Sequence, residues 1–523
     1  MIQRHWLASY GSISHDIDPD AYRSVVDLME QAMQRFADKP AMRCAGQVLT
    51  YADLNRLSRD FAAYLQGPLG VKKGDRIAVM VPNLLAFPIA FLGIARAGAV
   101  QVNVNPLYTP RELEHQLDDA GVQTVIVYSG VSATVAEVMA GTGVKNVITV
   151  GVGDGSGKLL PSPPIDPRLA GAVALADALA QGAALPFSPV ALAGDDLVFL
   201  QYTGGTTGLS KGAALSHRNL IANAIPLYHV FALMVNFITY FSVGADNWLV
   251  PNPRDFDSFL ATLKAARPTI FMGVNTLYAG LVMHPGSKDV DWSRLRLAGG
   301  GGAAVIGAVS DKWQALTGTF IREGYGLSET SPVVSFNPAQ VQAFTCTTGL
   351  PLPSTDVILM DEEGRTVGLG EPGEICVKGP QVMRGYWNKP EANAAAFTAD
   401  GYFRTGDVGC FDAQGFLKIV DRKKDMIIVS GFNVYPNEIE AVVTDCPGVA
   451  ECACIGVPDE KTGEAVQLFV VATPAAALTE ADVIAFCRQA LTGYKVPKRV
   501  RFVDALPKSA VGKILRRELR DLA

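Results

Sequence analysis

The sequence predicts an α/β protein of at least two domains, and three observations predict it. A chain of 523 residues exceeds one ordinary hydrophobic core. Its first third alternates short β-type runs with helix-like stretches, the pattern of a parallel sheet with covered faces. Between residue 349 and about 416 the texture changes to short β runs broken by Gly, Pro and Asp, which suggests a small β subdomain, and beyond it strand and helix alternate again.

Taken in order, Ser24 with Asp27 and Thr50 with Asp53 resemble capping boxes opening two helices. In the second helix Leu54, Leu57, Phe61 and Leu65 recur at helical spacing and make one apolar face. Residues 76–81 read as a strand ended by Pro82-Asn83, and a helix-like stretch follows to Arg96. Two further strands, 99–104 and 124–128, flank a polar helix beginning near Pro110. Residues 150–190, rich in Gly, Pro and Ala with little periodicity, read as a surface connection. An apolar run, 197–200, then leads into a glycine-rich loop, and a helix can start from Ser216.

From 224 to 245 no Asp, Glu, Lys or Arg occurs, a length that could cross a bilayer. Pro226, His229, Asn236 and Gly244 interrupt it, so a buried wall is expected instead. After it come a helix to Ala266, strands at 269–274 and 294–298, and the glycine run Gly299 to Gly302. A helix through Trp313 leads to Ile-Arg-Glu-Gly-Tyr-Gly-Leu-Ser-Glu-Thr at 321–330. The charged knot Asp421-Arg422-Lys423-Lys424-Asp425 stands between two apolar runs and is the expected interdomain hinge.

Composition excludes some functions. The 45 basic and 51 acidic residues leave a net charge of −6 and no Lys/Arg block, which argues against nucleic-acid binding. The eight cysteines are scattered, and Cys452-Ala453-Cys454 lacks the second pair that a zinc site needs, so reduced thiols in a cytosolic protein are expected. The first residues mix charges and histidines and show no signal-peptide pattern.

The loop at 202–212, Tyr-Thr-Gly-Gly-Thr-Thr-Gly-Leu-Ser-Lys-Gly, carries the chemistry. Its glycines let backbone approach a ligand, its threonines offer hydroxyls, and Lys211 adds a positive charge, a composition suited to polyphosphate. The GxxxxGK[ST] spacing of the common phosphate loop is absent. Read alone, the stretch also fits a Gly/Thr-rich turn with a surface lysine. The same holds elsewhere: Glu329 alone reads as a helix-start residue, Thr405-Gly406-Asp407 as an ordinary turn, Lys513 as a solvated loop lysine, and His229 as a core histidine.

Five segments in order resemble the acyl-adenylate-forming ligases, which include acyl-CoA synthetases, luciferases and peptide-synthetase adenylation domains. They are 202–212, Tyr-Gly-Leu-Ser-Glu-Thr at 325–330, Tyr-Phe-Arg-Thr-Gly-Asp at 402–407, residues 421–440, and Pro-Lys-Ser-Ala-Val-Gly-Lys at 507–513. The wording at 420–438 and 512–520 is most similar to bacterial long-chain fatty-acid–CoA ligases. One departure stands out, because those ligases carry a longer stretch between His217-Arg218-Asn219 and Pro226-Leu227-Tyr228-His229, next to the path of the acyl chain. The connection at 150–165 also reads as short.

The resemblance implies a large N-terminal domain, 1–420, of two αβ-sandwich subdomains plus a small β subdomain. A hinge at 421–425 and a small mobile α+β C-terminal domain, 426–523, follow. It implies ATP-dependent activation of a medium- or long-chain fatty acid to acyl-AMP with release of pyrophosphate, then transfer to CoA. The alternatives are an acyl-AMP ligase or adenylation enzyme loading a carrier protein, and a nucleotide-binding regulator without turnover. Thr203, Gly204, Gly205, Thr206, Thr207 and Lys211 are then expected on the ATP phosphates. Gly300, Gly301, Gly302, Gly324, Tyr325 and Gly326 are expected around adenine, and Asp407 and Arg422 at the ribose. Glu329 with Thr206 is expected to hold Mg2+. Lys513 is the expected catalytic residue of adenylation, His229 a gate between acyl pocket and CoA tunnel, Lys424 the hinge, and Ser430, Gly431 and Phe432 the CoA-facing turn. The expected partners are fatty acid, ATP and CoA in the cytoplasm, with a homodimer and peripheral contact at the inner face of the membrane left open.

Overall fold

The computed structural model describes residues 4–158, 160–203, 210–222, 237–430, 432–473, 477–508 and 514–522. In the first sheet the strands run in the order Val173–Ala174, Asn146–Val150, Thr124–Tyr128, Arg76–Met80, Val100–Asn103, Leu197–Thr203, Lys211–Ser216. All neighbours are parallel except the last pair, which is antiparallel. Successive side chains of a strand point to opposite faces. Ile77 and Val79 accordingly join the core under helices Tyr51–Gln66 and Ala86–Arg96, while Ala78 and Met80 join the one containing Leu113 and Leu117 of helix Pro110–Ala120. The Thr50–Asp53 capping box forms as expected, and Leu54, Leu57, Phe61 and Leu65 are buried.

Residues 150–190 are not only a surface connection. They contain the edge strand Val173–Ala174 and helix Leu175–Ala183, which buries Leu175, Ala178, Leu179 and Gly182. A Cβ at Gly182 would lie 1.9 Å from the Asp60 carbonyl oxygen, so this helix approaches helix Tyr51–Gln66 at a distance only glycine permits. Its buried positions 175, 178, 179 and 182 keep helical spacing, a pattern that the surrounding Gly- and Pro-rich residues obscure. At the end of the uncharged tract Phe237, Ile238 and Phe241 are fully buried, and the Phe241 ring lies 4.2 Å from that of Tyr51. This part is a buried wall, as expected. Among the described residues no helix is long and apolar enough to cross a membrane.

The second sheet runs Ile270–Gly273, Leu297–Gly300, Ile321–Gly326, Val333–Phe336, Leu350–Pro351, parallel for the first three strands and antiparallel thereafter. Trp313 packs beneath it with Phe271, Tyr278 and Trp292 at centroid distances of 5.5, 4.8 and 5.0 Å. The small β subdomain is a four-stranded antiparallel sheet of Asp356–Met360, Gly373–Lys378, Phe403–Phe411 and Leu417–Arg422. The N-terminal turn His5–Ser9 seals it, with Trp6 stacked on Phe411 at 5.4 Å. Beyond the charged knot a separate sheet runs Phe432–Val434, Ile427–Val429, Gly463–Ala472, Val449–Asp459, and Arg499–Phe502 also pairs with Gly463–Ala472. The architecture is mixed α/β with a large N-terminal part and a small C-terminal one.

Candidate active site

Segment 321–330 carries two clusters of expected site residues, one at its strand end and one in the turn that follows. Strand Ile321–Gly326 presents Tyr325, whose hydroxyl donates to Asp407 Oδ2 at 2.7 Å. Asp407 is buried on strand Phe403–Phe411, directly opposite Arg422 in the register, and its Oδ1 lies 3.5 Å from Arg422 Nε. Gly406 takes φ +73°, a left-handed conformation that lets the strand kink just before Asp407. Burial, followed by the Asp407 charge, pushes the Tyr325 phenol well above its ordinary range, so it stays a donor.

Three residues further on, the turn Ser328–Thr330 holds Glu329, 8% exposed. Tyr386 Oη donates to Glu329 Oε1 at 2.9 Å, and the Met383 N–H donates to the Glu329 carbonyl at 2.7 Å. On the other side of Tyr386, Lys211 Nζ sits 5.1 Å from the ring centroid. Thr203 and Lys211 face each other in the register of an antiparallel pair, as do Tyr202 and Gly212. Where a helix was expected directly after the glycine-rich stretch, a return strand Lys211–Ser216 comes first, with helix His217–Ala222 following. Tyr202 anchors the base of this hairpin by donating to Asp119 Oδ2 at 2.7 Å, and Lys389 pairs with the same carboxylate. Residues 204–209, which include Gly204, Gly205, Thr206 and Thr207, lie outside the described residues.

The glycines expected around adenine have structural work of their own. Gly300 is a strand residue whose added Cβ would lie 2.5 Å from Val305, and Gly324 and Gly326 would collide with Phe336 and with the Pro332 carbonyl. Gly302, at φ +77°, begins the loop that returns toward Val305, while Gly301 is buried beside it. Glu323, paired with Gly300, is buried and accepts the Val305 N–H at 2.8 Å. Burial pushes its carboxyl up to about 7, against that single backbone hydrogen bond.

At the knot, Asp421 is fully buried at the end of strand Leu417–Arg422 and accepts the Arg422 and Asn437 N–H groups at 2.7 and 2.8 Å. Burial pushes its carboxyl up to about 6, with Arg516 pulling the other way. Arg516 reaches it from the far end of the chain at 3.9 Å and also meets Asp425 and Glu440, while Arg520 meets Asp425 at 3.0 Å. The knot is thus not an isolated charged linker. Lys424 lies in the turn after Arg422, exposed between these carboxylates. Ser430, at φ +52°, turns the chain back into strand Phe432–Val434, and the exposed Phe432 ring stacks on Tyr494 at 4.8 Å. Gly431, His229 and Lys513 lie outside the described residues.

Sequence reasoning missed Tyr386, Asp119 and Arg516. Tyr386 sits in Arg-Gly-Tyr-Trp at 384–387, an aromatic pair after a glycine where no hydrophobic period calls for one. That was its one visible signal. Asp119 reads as an ordinary charge on the polar helix from Pro110, and Arg516 as one of the charges of the basic loop 507–517.

The chain matches two family descriptions, "AMP-binding enzyme" over residues 29–387 and "AMP-binding enzyme C-terminal domain" over residues 438–513. It is 46% identical over 559 residues to a long-chain-fatty-acid–CoA ligase of Escherichia coli O6:H1, covering 100% of this chain and 99% of that relative. The aligned length exceeds the 523 residues here, so the relative carries stretches without a counterpart in this chain. A long-chain-fatty-acid–CoA ligase of Bacillus subtilis (strain 168) is 38% identical over 557 residues, covering 99% and 98%. Among solved structures, the anthranilate CoA ligase AuaEII in complex with anthranoyl-AMP superposes with a TM-score of 0.86 at 25% identity, covering 97% of this chain and 99% of that one. ATP-bound MatB from Rhodopseudomonas palustris gives 0.83 at 32% identity, covering 95% and 98%. With its two site clusters held on one strand and turn, and with relatives this similar along its whole length, the chain belongs to the AMP-binding enzyme family.

Proposed function

We propose that this chain is an acid–thiol ligase that activates a medium- or long-chain fatty acid with ATP and delivers it to CoA. In the first step a carboxylate oxygen attacks the α-phosphorus of ATP, the bond to the β-phosphate oxygen breaks, and pyrophosphate leaves. In the second the CoA thiolate attacks the acyl carbon, the acyl–phosphate bond breaks, and AMP leaves. The observation that carries the reading is the placement of the Lys211–Tyr386–Glu329 and Tyr325–Asp407–Arg422 clusters a few residues apart on segment 321–330.

In-line phosphoryl chemistry asks a protein mainly to position groups and offset charge. Thr203, Lys211 and the Gly/Thr residues 204–207 would hold the β- and γ-phosphates. Asp407 would accept hydrogen bonds from the ribose diol, with Arg422 steering it. Glu329 offers a hard carboxylate oxygen, and among the described residues no group of three or more metal-binding side chains exists. That donor set suits Mg2+, which takes one or two carboxylates and completes its shell with phosphate and water. Glu329 with Thr206 would hold the ion, which when bound offsets the charge of the phosphates. Lys513 would bridge the carboxylate and the α-phosphate. Since Lys513 and the turn at Ser430, Gly431 and Phe432 share one domain, rotation at Lys424 would exchange them between the steps.

The acid is tested by acyl-CoA formation with AMP release across a panel from acetate to oleate, with ferulate included because a feruloyl-CoA synthase of Amycolatopsis is 36% identical over 500 residues. The reading expects the highest kcat/KM among medium- and long-chain acids. A preference for acetate or ferulate would contradict it.

A further inference from the structure

We propose that Tyr386 is a positioning residue that sets the Glu329 carboxylate and the Lys211 ammonium relative to each other, one through its hydroxyl and one through its ring. The inference rests on the reading above, in which Glu329 holds Mg2+ and Lys211 the phosphates. Tyr386 Oη donates to Glu329 Oε1 at 2.9 Å, while its ring carries Lys211 Nζ at 5.1 Å. Among the described residues Lys211 has no carboxylate partner, so this ring is its seat.

The backbone around Tyr386 is fixed on both sides. The Tyr386 N–H donates to Asn393 Oδ1 at 2.7 Å and its carbonyl accepts from Asn393 Nδ2 at 3.0 Å. The Ala214 N–H donates to the Gly385 carbonyl and the Trp387 N–H to the Gly212 carbonyl, at 2.9 and 2.8 Å. The Met383 N–H meets the Glu329 carbonyl. Segment 383–387 therefore straps the return strand of the hairpin to the Glu329 turn. Gly385, at φ +138° with Asn393 atoms 3.0 Å from where a Cβ would be, lets it pass.

The two contacts separate by substitution. Tyr386→Phe keeps the ring and removes the hydroxyl, whereas Tyr386→Leu removes both. The measurement is calorimetric binding of α,β-methylene-ATP, which does not release pyrophosphate, in EDTA and across a Mg2+ series, with circular dichroism confirming the fold. A hydrogen bond that orients a metal-ligating side chain typically changes metal affinity 10- to 100-fold. Tyr386→Phe is expected to raise the Mg2+ concentration for half-maximal binding about 10-fold and leave nucleotide affinity in EDTA unchanged. Tyr386→Leu is expected to weaken binding in EDTA as well, by about 3-fold for the lost cation–π contact. Glu329→Gln separates the two levels of the argument. If it leaves the Mg2+ dependence unmoved, the reading of Glu329 fails. If it shifts that dependence and Tyr386→Phe does not, the role of Tyr386 fails alone.

Discussion

Arg516 lies 2.8 Å from Glu440 and 3.6 Å from Asp425, with Asp421 at 3.9 Å, and so closes a largely buried ring of three carboxylates around one guanidinium. It stands three residues after Lys513 in the sequence and contacts the knot on both sides of Lys424. Removing one partner of a buried charge cluster leaves the others uncompensated, at a cost of about 3–5 kcal/mol. Arg516→Met should therefore lower the thermal midpoint and expose 426–523 to limited proteolysis first. Arg516→Lys should recover part of the loss, because lysine keeps the charge but not the fork whose Nη1 faces Asp421 and Asp425 while Nη2 meets Glu440 and Asn437.

Asp407 is expected to dominate ATP affinity. Asp407→Asn keeps the shape but removes the charge facing Arg422 and weakens the acceptor of the Tyr325 hydroxyl. Hydrogen bonds to charged groups are worth about 1.5–3 kcal/mol, so KM for ATP should rise about 10- to 100-fold at saturating acid and CoA. An unchanged KM would remove Asp407 from the nucleotide site.

Glu323 should leave a mark on the pH dependence of stability. Its folded carboxyl titrates near 7, above its ordinary 4.5, because burial disfavours the charge. Between those values the native state keeps a proton that the unfolded chain releases, so this group's contribution is present below pH 4.5 and is lost as pH rises through 7. Glu323→Gln removes that slope while its amide oxygen still accepts the Val305 N–H. Thermal melts should show the variant more stable than wild type at pH 8, with the gap closing toward pH 5.

The hinge and the lysine make opposite predictions for the two half-reactions. Lys424→Pro fixes φ in the turn after Arg422. It should preserve acyl-AMP formation and impair thioester formation. Lys513→Ala should do the reverse, losing adenylation far more than thioester formation from supplied acyl-AMP. Parallel losses in both steps would set these assignments aside.

Much of the scaffold was legible because its signals are local. The Thr50–Asp53 box and the stripe of Leu54, Leu57, Phe61 and Leu65 are short-range patterns, and the buried strands 76–80 and 124–128 announce themselves by apolar composition. Helix Leu175–Ala183 was passed over because its short leucine spacing is set among Gly, Pro and Ala, and Gly182 is explained only once helix Tyr51–Gln66 lies against it. The same limit applied at the site. Tyr325, Glu329 and Asp407 sit in recognisable segments, but their contacts join distant parts of the chain: strand register sets Arg422 beside Asp407, and the docking of segment 383–387 brings Tyr386 to Glu329. The expected loop, 202–212, overlaps the start of the return strand Lys211–Ser216, where Gly212 weakens the strand pattern. A Cβ there would meet the Tyr202 ring at 3.0 Å, so a larger residue would press on the partner strand.

The central claim is that ATP is cleaved at the α-phosphorus by a carboxylate before CoA takes part. Acid-dependent exchange of labelled pyrophosphate into ATP, measured with no CoA present, tests it most directly. The account predicts exchange with a long-chain acid, none without acid, and its collapse in Lys513→Ala. ATP binding with no exchange for any acid, or release of ADP in place of AMP, would contradict it.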